Sequence, residues 1–404
     1  MGISPFKKLV SLSDALGIVL ENAYPLERTE DVGLSAAAGR VLARNLVSPM
    51  DVPPFDRSAM DGYAVMSEDA AGAGELNPAV LKVTGELFAG DDRLARIGKG
   101  EACRVATGAP LPEGADSVIM AEYADEESSH VRVRRAEPRW GNVSRRGSDM
   151  RAGADVLTKG AVLDPAKVGV LASLGMSSAN VLARPSVAIF SSGNEIAEPG
   201  GPLGAAQVYN SNSYTLASLV DRTGGAARIM PRIEDTEDAV RSSIASASGK
   251  GFDAVAISGG SSVGERDLLA GVLSSMGEVL FHGVQIKPGK PFLFGKAGGI
   301  VVFGIPGYPA ACLTVGYIFL APAVRKMAGL PADRRTVRTR LARRVASRLG
   351  RAQILTVKLT EKGALPVFKE SGAITSLAAA DGYIIIPDDT ELVEADEEVE
   401  VVLF

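Results

Sequence analysis

Carboxylates and cations stand in separate glycine-punctuated loops of this chain, and both are residue types that act on anions. Asp61, Asp149, Glu195, Asp235 and Asp267 supply the carboxylates. Lys287 and Lys290 supply ammonium groups, while Gly259 and Gly260 let backbone N–H groups approach an anion closely. An anionic ligand and an acidic cluster repel each other unless a divalent ion lies between them. Mg²⁺ is the natural bridge, because it takes one or two carboxylates together with phosphate oxygens. Residue types and spacing therefore lead to metal-dependent chemistry on a phosphorylated small molecule.

Three loops between Phe252 and Pro309 carry most of this reading. Ser258-Gly259-Gly260-Ser261-Ser262 follows the apolar run Ala254–Ile257, and Gly304-Ile305-Pro306-Gly307-Tyr308-Pro309 follows Ile300–Phe303. Ile286-Lys287-Pro288-Gly289-Lys290-Pro291 lies between them. Ligands of open α/β sheets sit beyond the carboxyl ends of the strands, where such loops fall. Ser191-Ser192-Gly193-Asn194-Glu195 occupies the same kind of position after Val187–Phe190. Nearer the N-terminus, Asp56-Arg57-Ser58-Ala59-Met60-Asp61-Gly62, Thr107-Gly108-Ala109 and Arg145-Arg146-Gly147-Ser148-Asp149 combine acids, hydroxyls and guanidiniums. The blander readings are a turn capped by Asp56, a hairpin at Asp61-Gly62 and a salt-bridged loop at Arg145–Asp149.

The elements that must position these loops follow from periodicity. Leu16, Val19 and Leu20 predict a helix over 10–22 with Ser13 as N-cap. Short apolar runs between Gly/Pro clusters predict a β-rich stretch over 51–140, and helical spacing returns at 164–175. Strands at Val187–Phe190, Ala227–Met230, Ala254–Ile257 and Ile300–Phe303 alternate with helices at Ser213–Arg222 and Thr236–Ala247, the second capped by Asp235. That βαβ pattern predicts a mostly parallel, doubly wound sheet. After Pro331, alternating segments predict a small β-barrel or sandwich. The expected division is 1–50 with 141–183 as a mixed N-terminal α/β part, 51–140 as a β-rich insertion, 184–330 as the α/β domain and 331–404 as the C-terminal barrel.

Composition narrows the classes. The 404 residues are 46% hydrophobic and 23% charged, with a formal net charge of −5 and no basic arm, which argues against a nucleic-acid partner. Two isolated cysteines and two histidines argue against a thiolate zinc cage or a Ser-His-Asp triad. No export signal leads the chain, and the apolar stretch Ala310–Val324, interrupted by Pro322, reads as a buried helix rather than a membrane span. A cytoplasmic location is expected. Eight arginines between Arg334 and Arg351 face an acidic C-terminal stretch, and cross-strand pairing is the expected arrangement.

The segments Ser58–Ala64, Thr107–Ala109, Arg146-Gly147-x-Asp149, Ser258-Gly259-Gly260-x-Ser262-Val263-Gly264, Lys287–Pro291 and Pro306-Gly307-x-Pro309 resemble, in order, the molybdopterin molybdenumtransferase family, which includes MoeA and the gephyrin E domain. The resemblance implies a homodimer of four-part subunits that takes adenylylated molybdopterin and molybdate, inserts molybdenum and releases AMP, with Mg²⁺ or Zn²⁺ assisting. It implies catalytic positions at Asp61, Thr107, Asp149, Glu195, Asp235 and Asp267, with Asp235 and Asp267 holding the metal. Substrate positions fall at Ser258, Gly259, Gly260, Ser262, Lys287, Lys290, Pro306, Gly307 and Pro309. Asp61, Thr107 and Asp149 are expected to act from the other subunit. Molybdopterin adenylyltransferase and molybdoenzymes are the implied protein partners, and a non-catalytic cofactor carrier or scaffold is the alternative. Three positions depart from the family pattern: Asn194 where aspartate is frequent, Tyr308 where asparagine is common, and Gly283 where some members carry lysine.

Overall fold

Ala15 and Val19, one helical turn apart, turn one stripe of α1 (Leu12–Asn22) into a core shared with Val187, Leu216, Phe319 and Val324. Ser11, not Ser13, caps this helix. Ser11 is extended and its Oγ accepts from the Asp14 N–H at 3.1 Å, whereas Ser13 already lies inside the first turn. The structure is a computed structural model and describes residues 9–93, 95–259, 268–332, 335–367 and 373–404. The chain divides into two units: Asp31–Ala38 with Leu42–Val181, and Met1–Glu30 with Gly39–Val41 and Leu182–Phe404.

The first of these units is built on a six-stranded sheet. Its strands are β1 (Gly62–Val65), β2 (Ala79–Leu87), β3 (Glu101–Val105), β4 (Ser117–Met120), β5 (Ala124–Glu127) and β6 (His130–Val133), in the order β4-β1-β3-β2-β6-β5. Only β2 and β3 run parallel; the other pairs are antiparallel. Alternation along β1 sends Tyr63 and Val65 into one apolar cluster and Ala64 into another, so both faces of the sheet are covered. A second core, around Leu42, Leu163, Leu171 and Val181, packs on α2 (Pro165–Ser173), which Asp164 caps by accepting from the Lys167 N–H at 2.9 Å.

The larger unit carries the predicted doubly wound sheet. In chain order it comprises β7 (Ser186–Ser191), α3 (Asn212–Arg222), β8 (Ala226–Ile229), α4 (Glu237–Gly249), β9 (Ala254–Ser258), α5 (Leu268–Met276) and β10 (Gly277–His282). Then come β11 (Ile286–Lys287), β12 (Leu293–Ala297), β13 (Ile300–Ile305), α6 (Pro309–Val315) and α7 (Ala321–Met327). The sheet order is β8-β7-β9-β13-β12-β10. The four strands β8, β7, β9 and β13 are parallel, and β12 and β10 add an antiparallel edge. All five residues of β9 and all six of β13 are buried, as expected where helices cover both faces. Phe292, Phe303 and Phe319 stack in the core, the closest pair of rings being Phe292 and Phe319 at 4.7 Å between centroids.

The C-terminal strands β14 (Thr336–Arg340), β15 (Ala352–Thr360), β16 (Gly363–Pro366), β17 (Gly382–Ile386) and β18 (Glu398–Leu403) pair as β16-β15-β17-β18-β14. A bridge from Leu341 to Ala364 joins the far end of β14 back to β16, which closes the sheet into a small barrel around Leu355, Val357, Ile384 and Val401. Arg338 reaches Glu398 at only 4.0 Å, and both side chains are about three-quarters exposed. The expected arginine–acid pairing is therefore a solvated contact.

Pro309–Met327 is a single helical run interrupted by a π-helical segment at Gly316–Leu320. It is long and apolar enough to cross a membrane, yet 78% of it is buried inside the unit, as read from its sequence. Cys312 lies on this run and Cys103 on β3, both buried; desolvation pushes their thiols up to about 12 and about 11 respectively. Neither thiol is expected to react with iodoacetamide at pH 8 until the protein is denatured. Fast labelling of native protein would contradict the burial.

Candidate functional site

β8 lies on one side of β7 and β9 on the other, so the strand order reverses between β7 and β9 and leaves a crevice at their carboxyl ends. Ser191 ends β7 with Ser192 just beyond it, Ser258 ends β9, and the Ser192 N–H bonds the Ser258 carbonyl at 2.9 Å. The next residue, Gly259, has φ +92°, and a Cβ there would stand 2.4 Å from the Ser192 carbonyl oxygen. Only glycine lets the chain turn so close to the neighbouring strand.

The first turn of α3 fastens this crevice. Asn210 donates to Ser191 Oγ at 3.2 Å and Glu198 Oε1 at 2.9 Å, and accepts from the Ser213 N–H. Asn212 donates from Nδ2 to Ser258 Oγ and to the Gly307 carbonyl, both at 2.7 Å. Two loops singled out in the sequence, at Ser258 and at Gly307, are thus held by one side chain. Asp235 does not cap α4; Thr236 does, accepting from the Ala239 N–H at 3.3 Å. Asp235 instead accepts from Ser192 Oγ at 2.8 Å, which ties its carboxylate to the end of β7 with one oxygen engaged. Glu195 stands in the loop after β7, where Arg232 bonds the Gly193 carbonyl at 2.9 Å and Asn194 Oδ1 at 3.3 Å.

A second feature is a cavity of about 530 Å³ whose lining includes Lys287, Lys290, Pro306, Tyr308 and Arg351. Ile286 is fully buried and Lys287 exposed, the period-2 alternation of a strand whose outer side chain faces solvent. β11 pairs in parallel with the start of β15, and the Ala352 N–H bonds the Gln285 carbonyl at 2.9 Å. That pairing sets Arg351 beside the Lys287 loop. The cavity thus joins the second and third loops to one arginine of the C-terminal cluster. Gly283 has φ +94°, a conformation in which a lysine, or any residue with a side chain, would be strained.

In the smaller unit the three remaining loops come together. The Thr107 N–H and hydroxyl both donate to Asp61 Oδ1, at 2.7 and 3.0 Å. Asp61-Gly62 is therefore not a hairpin turn; Gly62 opens β1 between β3 and β4. The Gly108 N–H bonds the Ser58 carbonyl at 2.8 Å, and the Ala59 N–H bonds the Asn142 carbonyl at 2.9 Å. The N–H groups of Gly147 and Asp149 bond the carbonyls of Pro53 and Val52, each at 3.0 Å. Asp56 accepts the Arg146 N–H at 2.6 Å. Arg146 pairs with Asp51 at 2.7 Å rather than with Asp149, and Arg145 lies over the Trp140 ring at 4.6 Å. Asp149 is left exposed.

Hydrogen bonding holds two of these carboxylates below the usual aspartate range: at Asp61 from the Thr107 N–H and then its hydroxyl, at Asp51 from the Ala152 N–H and then Arg146. A depressed folded pKa gives a stabilisation that is complete above the ordinary aspartate value and is lost as pH falls through the folded one. Fluorescence of Trp140, the single tryptophan, is expected to stay flat from neutrality down to about pH 4 and to change only below it. A transition near pH 6 would contradict this.

Gly260, Ser262 and Asp267 lie outside the described residues. Asn210, Asn212, Asp51 and Arg351 were not singled out in the sequence. An Asn-x-Asn just before a helix was a capping signal that could have been read, whereas Arg351 was submerged among eight arginines. Among the described residues no three His, Cys, Asp or Glu side chains cluster as a metal cage, so a protein-ligated zinc site has no support there. Asp235, with one oxygen on Ser192 and no hydrogen bond to its other oxygen among the described residues, fits the sparse carboxylate set of a Mg²⁺ ion otherwise held by substrate phosphates.

The fold and these sites define a multidomain protein with a doubly wound α/β body, a crevice at its switch point and a cation-lined cavity shared with a small barrel. Family models fill in the rest: "MoeA N-terminal region (domain I and II)" matches residues 10–175, "Probable molybdopterin binding domain" residues 188–326, and "MoeA C-terminal region (domain IV)" residues 338–404. A putative molybdopterin biosynthesis protein of Methanocaldococcus jannaschii is 36% identical over 98% of both chains. A molybdopterin molybdenumtransferase of Haemophilus influenzae is 35% identical over 80% of this chain and 78% of its own. The crystal structure of a molybdopterin biosynthesis MoeA protein from Pyrococcus horikoshii superposes with a TM-score of 0.85, at 37% identity over 98% of this chain and 99% of that one. This chain belongs to the MoeA family, the molybdopterin molybdenumtransferases of molybdenum cofactor biosynthesis.

Proposed function

We propose that this enzyme takes adenylylated molybdopterin and molybdate, hydrolyses the phosphoanhydride with one water to release AMP, and leaves molybdenum on the dithiolene sulfurs, whose protons leave with displaced molybdate oxygen as water. The observation that carries this is the pairing of β11 with β15, which gathers Lys287, Lys290 and Arg351 around one cavity beside the Pro306–Pro309 loop. Cations so placed suit two anions, a phosphate of the pterin and molybdate itself. The backbone at Gly259 and the loop at Ser258 and Gly307 bind the ligand in the crevice, and the family resemblance adds Gly260, Ser262 and Pro309, the last at the start of α6. Asp235, with Asp267, would hold Mg²⁺, which supplies charge neutralisation at the phosphates. Glu195 lies at the same strand end and stays available to move a proton. Family membership also supports a cytoplasmic homodimer divided as 1–50 with 141–183, 51–140, 184–330 and 331–404. Its protein partners are a molybdopterin adenylyltransferase that supplies the substrate and molybdoenzymes that receive the product.

In such a dimer Asp61, Thr107 and Asp149 act on the substrate bound by the partner subunit. Mixed dimers of Asp61→Ala and Asp267→Ala are then expected to regain part of the wild-type rate, since one of their two pockets is intact. No recovery in verified heterodimers would remove the cross-subunit pocket. Lys287→Ala and Arg351→Ala are each expected to weaken anion binding by roughly tenfold to a hundredfold, the worth of one charge-assisted hydrogen bond. Titration with adenylylated molybdopterin and, separately, with molybdate measures this. Unchanged affinity for both anions in both variants would overturn the reading of the cavity.

A further inference from the structure

We infer that the side-chain carbonyl oxygen of Asn212 is the acceptor that reads an N–H donor on the ring of the ligand held at the carboxyl ends of β7 and β9. The inference rests on the proposed reading of that ligand as a molybdopterin derivative, and it names the residue that selects its ring.

The orientation of the Asn212 amide is fixed by chemistry. Its Nδ2 lies 2.7 Å from the Gly307 carbonyl oxygen, which only accepts, so the nitrogen must face it; the reversed amide would set two carbonyl oxygens against each other. The second Nδ2 hydrogen goes to Ser258 Oγ, also at 2.7 Å. Both donors of the amide are therefore spent on the protein. Oδ1 is buried, in a residue only 9% exposed, and makes no hydrogen bond among the described residues. Buried polar atoms in folded proteins almost always find a partner, and the exceptions are filled by a ligand or an ordered water. The neighbouring Ser213 Oγ is buried and unpartnered as well. Asn210, two residues earlier, offers the contrast: its amide bonds Ser191, Glu198 and the Ser213 N–H.

The place of the unpartnered atom points to a ligand. Asn212 sits at the first turn of an 11-residue helix, between the loop that begins at Ser258 and the loop that contains Gly307. The two loops close on each other there, since a Cβ on Gly307 would lie 3.5 Å from the Gly259 Cα. The crevice at this strand reversal is where open α/β sheets hold their ligands. The amino-oxo edge of a pterin presents adjacent N–H donors, whereas phosphate and molybdate present acceptors to which a carbonyl oxygen has nothing to give. Asn212 therefore acts on the ring and not on the anionic ends of the substrate. A site built around such an acceptor also rejects a ring that lacks the donor.

The test is titration of wild type and Asn212→Leu with adenylylated molybdopterin, followed by pterin fluorescence, alongside titration with AMP. The expected result is a loss of roughly tenfold to a hundredfold in affinity for adenylylated molybdopterin, with AMP binding unchanged. Equal loss for both ligands would make Asn212 a structural clamp, and no loss for either would remove it from recognition; each outcome overturns the inference. Wild-type protein that fails to bind adenylylated molybdopterin overturns the proposed function itself, a result separate from any variant. If Asn212→Leu does not fold, wild type decides by competition between pterin-6-carboxylate and its analogue that lacks the 2-amino group and is methylated at N3, so that neither ring donor remains. Displacement by the first at tenfold lower concentration supports the inference, while equal displacement, or none by either, overturns it.

Discussion

Alanine at Asp61 is expected to lower turnover by roughly 10²–10³-fold, the effect of removing one preorganised group that stabilises the transition state, while thermal unfolding shows only the small fall that loss of the two Thr107 bonds brings. The geometry separates two roles within this one carboxylate. Oδ1 accepts both the N–H and the hydroxyl of Thr107, which fixes the loop, and the side chain is otherwise open to solvent. Those bonds keep the group ionised well below neutral pH, so a full negative charge is presented under working conditions. Asp61→Asn distinguishes the roles. An amide oxygen still accepts from Thr107, so if the loop alone matters the asparagine variant should work nearly as well as wild type. If the charge matters, as this account holds, Asp61→Asn should be almost as slow as Asp61→Ala. A wild-type rate in Asp61→Ala would remove the residue from the chemistry.

Phe292→Ala is expected to be the most destabilising of the simple truncations, by about 3–5 kcal/mol. Phe292 is fully buried, stacks on Phe303 and Phe319, and meets Phe281 edge-on with ring centroids 5.4 Å apart. These rings come from the strand region after the Lys287 loop, from β13, from the π-helical segment and from β10. The resulting cavity would be bounded by elements that the sheet and the long helix hold in place, so little collapse can offset it. Calorimetry should show a fall in the unfolding temperature on the order of 10 °C. A shift of one or two degrees would mean that the cluster can close over the gap.

The parts of the fold with strong local signals were legible in the sequence. The alternation of buried strands and amphipathic helices over 184–330 predicted the doubly wound sheet, and the helix over Ser213–Arg222 was placed within one residue of α3. Caps were less legible, because the residue that caps depends on where the chain enters the helix. Ser11 and Thr236 do this, in place of Ser13 and Asp235. At Asp235 the difference matters, since freedom from capping lets the carboxylate bond Ser192 at the end of β7. Non-local arrangements were not legible. The parallel pairing of β11 with β15 joins residues 286–287 to residues 352–353 across the whole helical run, and nothing in either segment announces its partner. For the same reason Arg351 could not be told apart from the arginines around it, and the salt bridge of the Arg145–Asp149 loop runs not within the loop but from Arg146 to Asp51, 95 positions away.

On the proposed reading, cations and carboxylates gathered in these loops transfer molybdenum to an adenylylated pterin. The most direct measurement is to incubate purified protein with adenylylated molybdopterin, Mg²⁺ and molybdate, and to follow AMP release together with molybdenum retained on the pterin. AMP release is expected to depend on molybdate, with one molybdenum incorporated per AMP formed. Tight binding of the pterin with neither AMP release nor molybdenum incorporation would contradict it, and would make the protein a carrier of the cofactor instead of its maker.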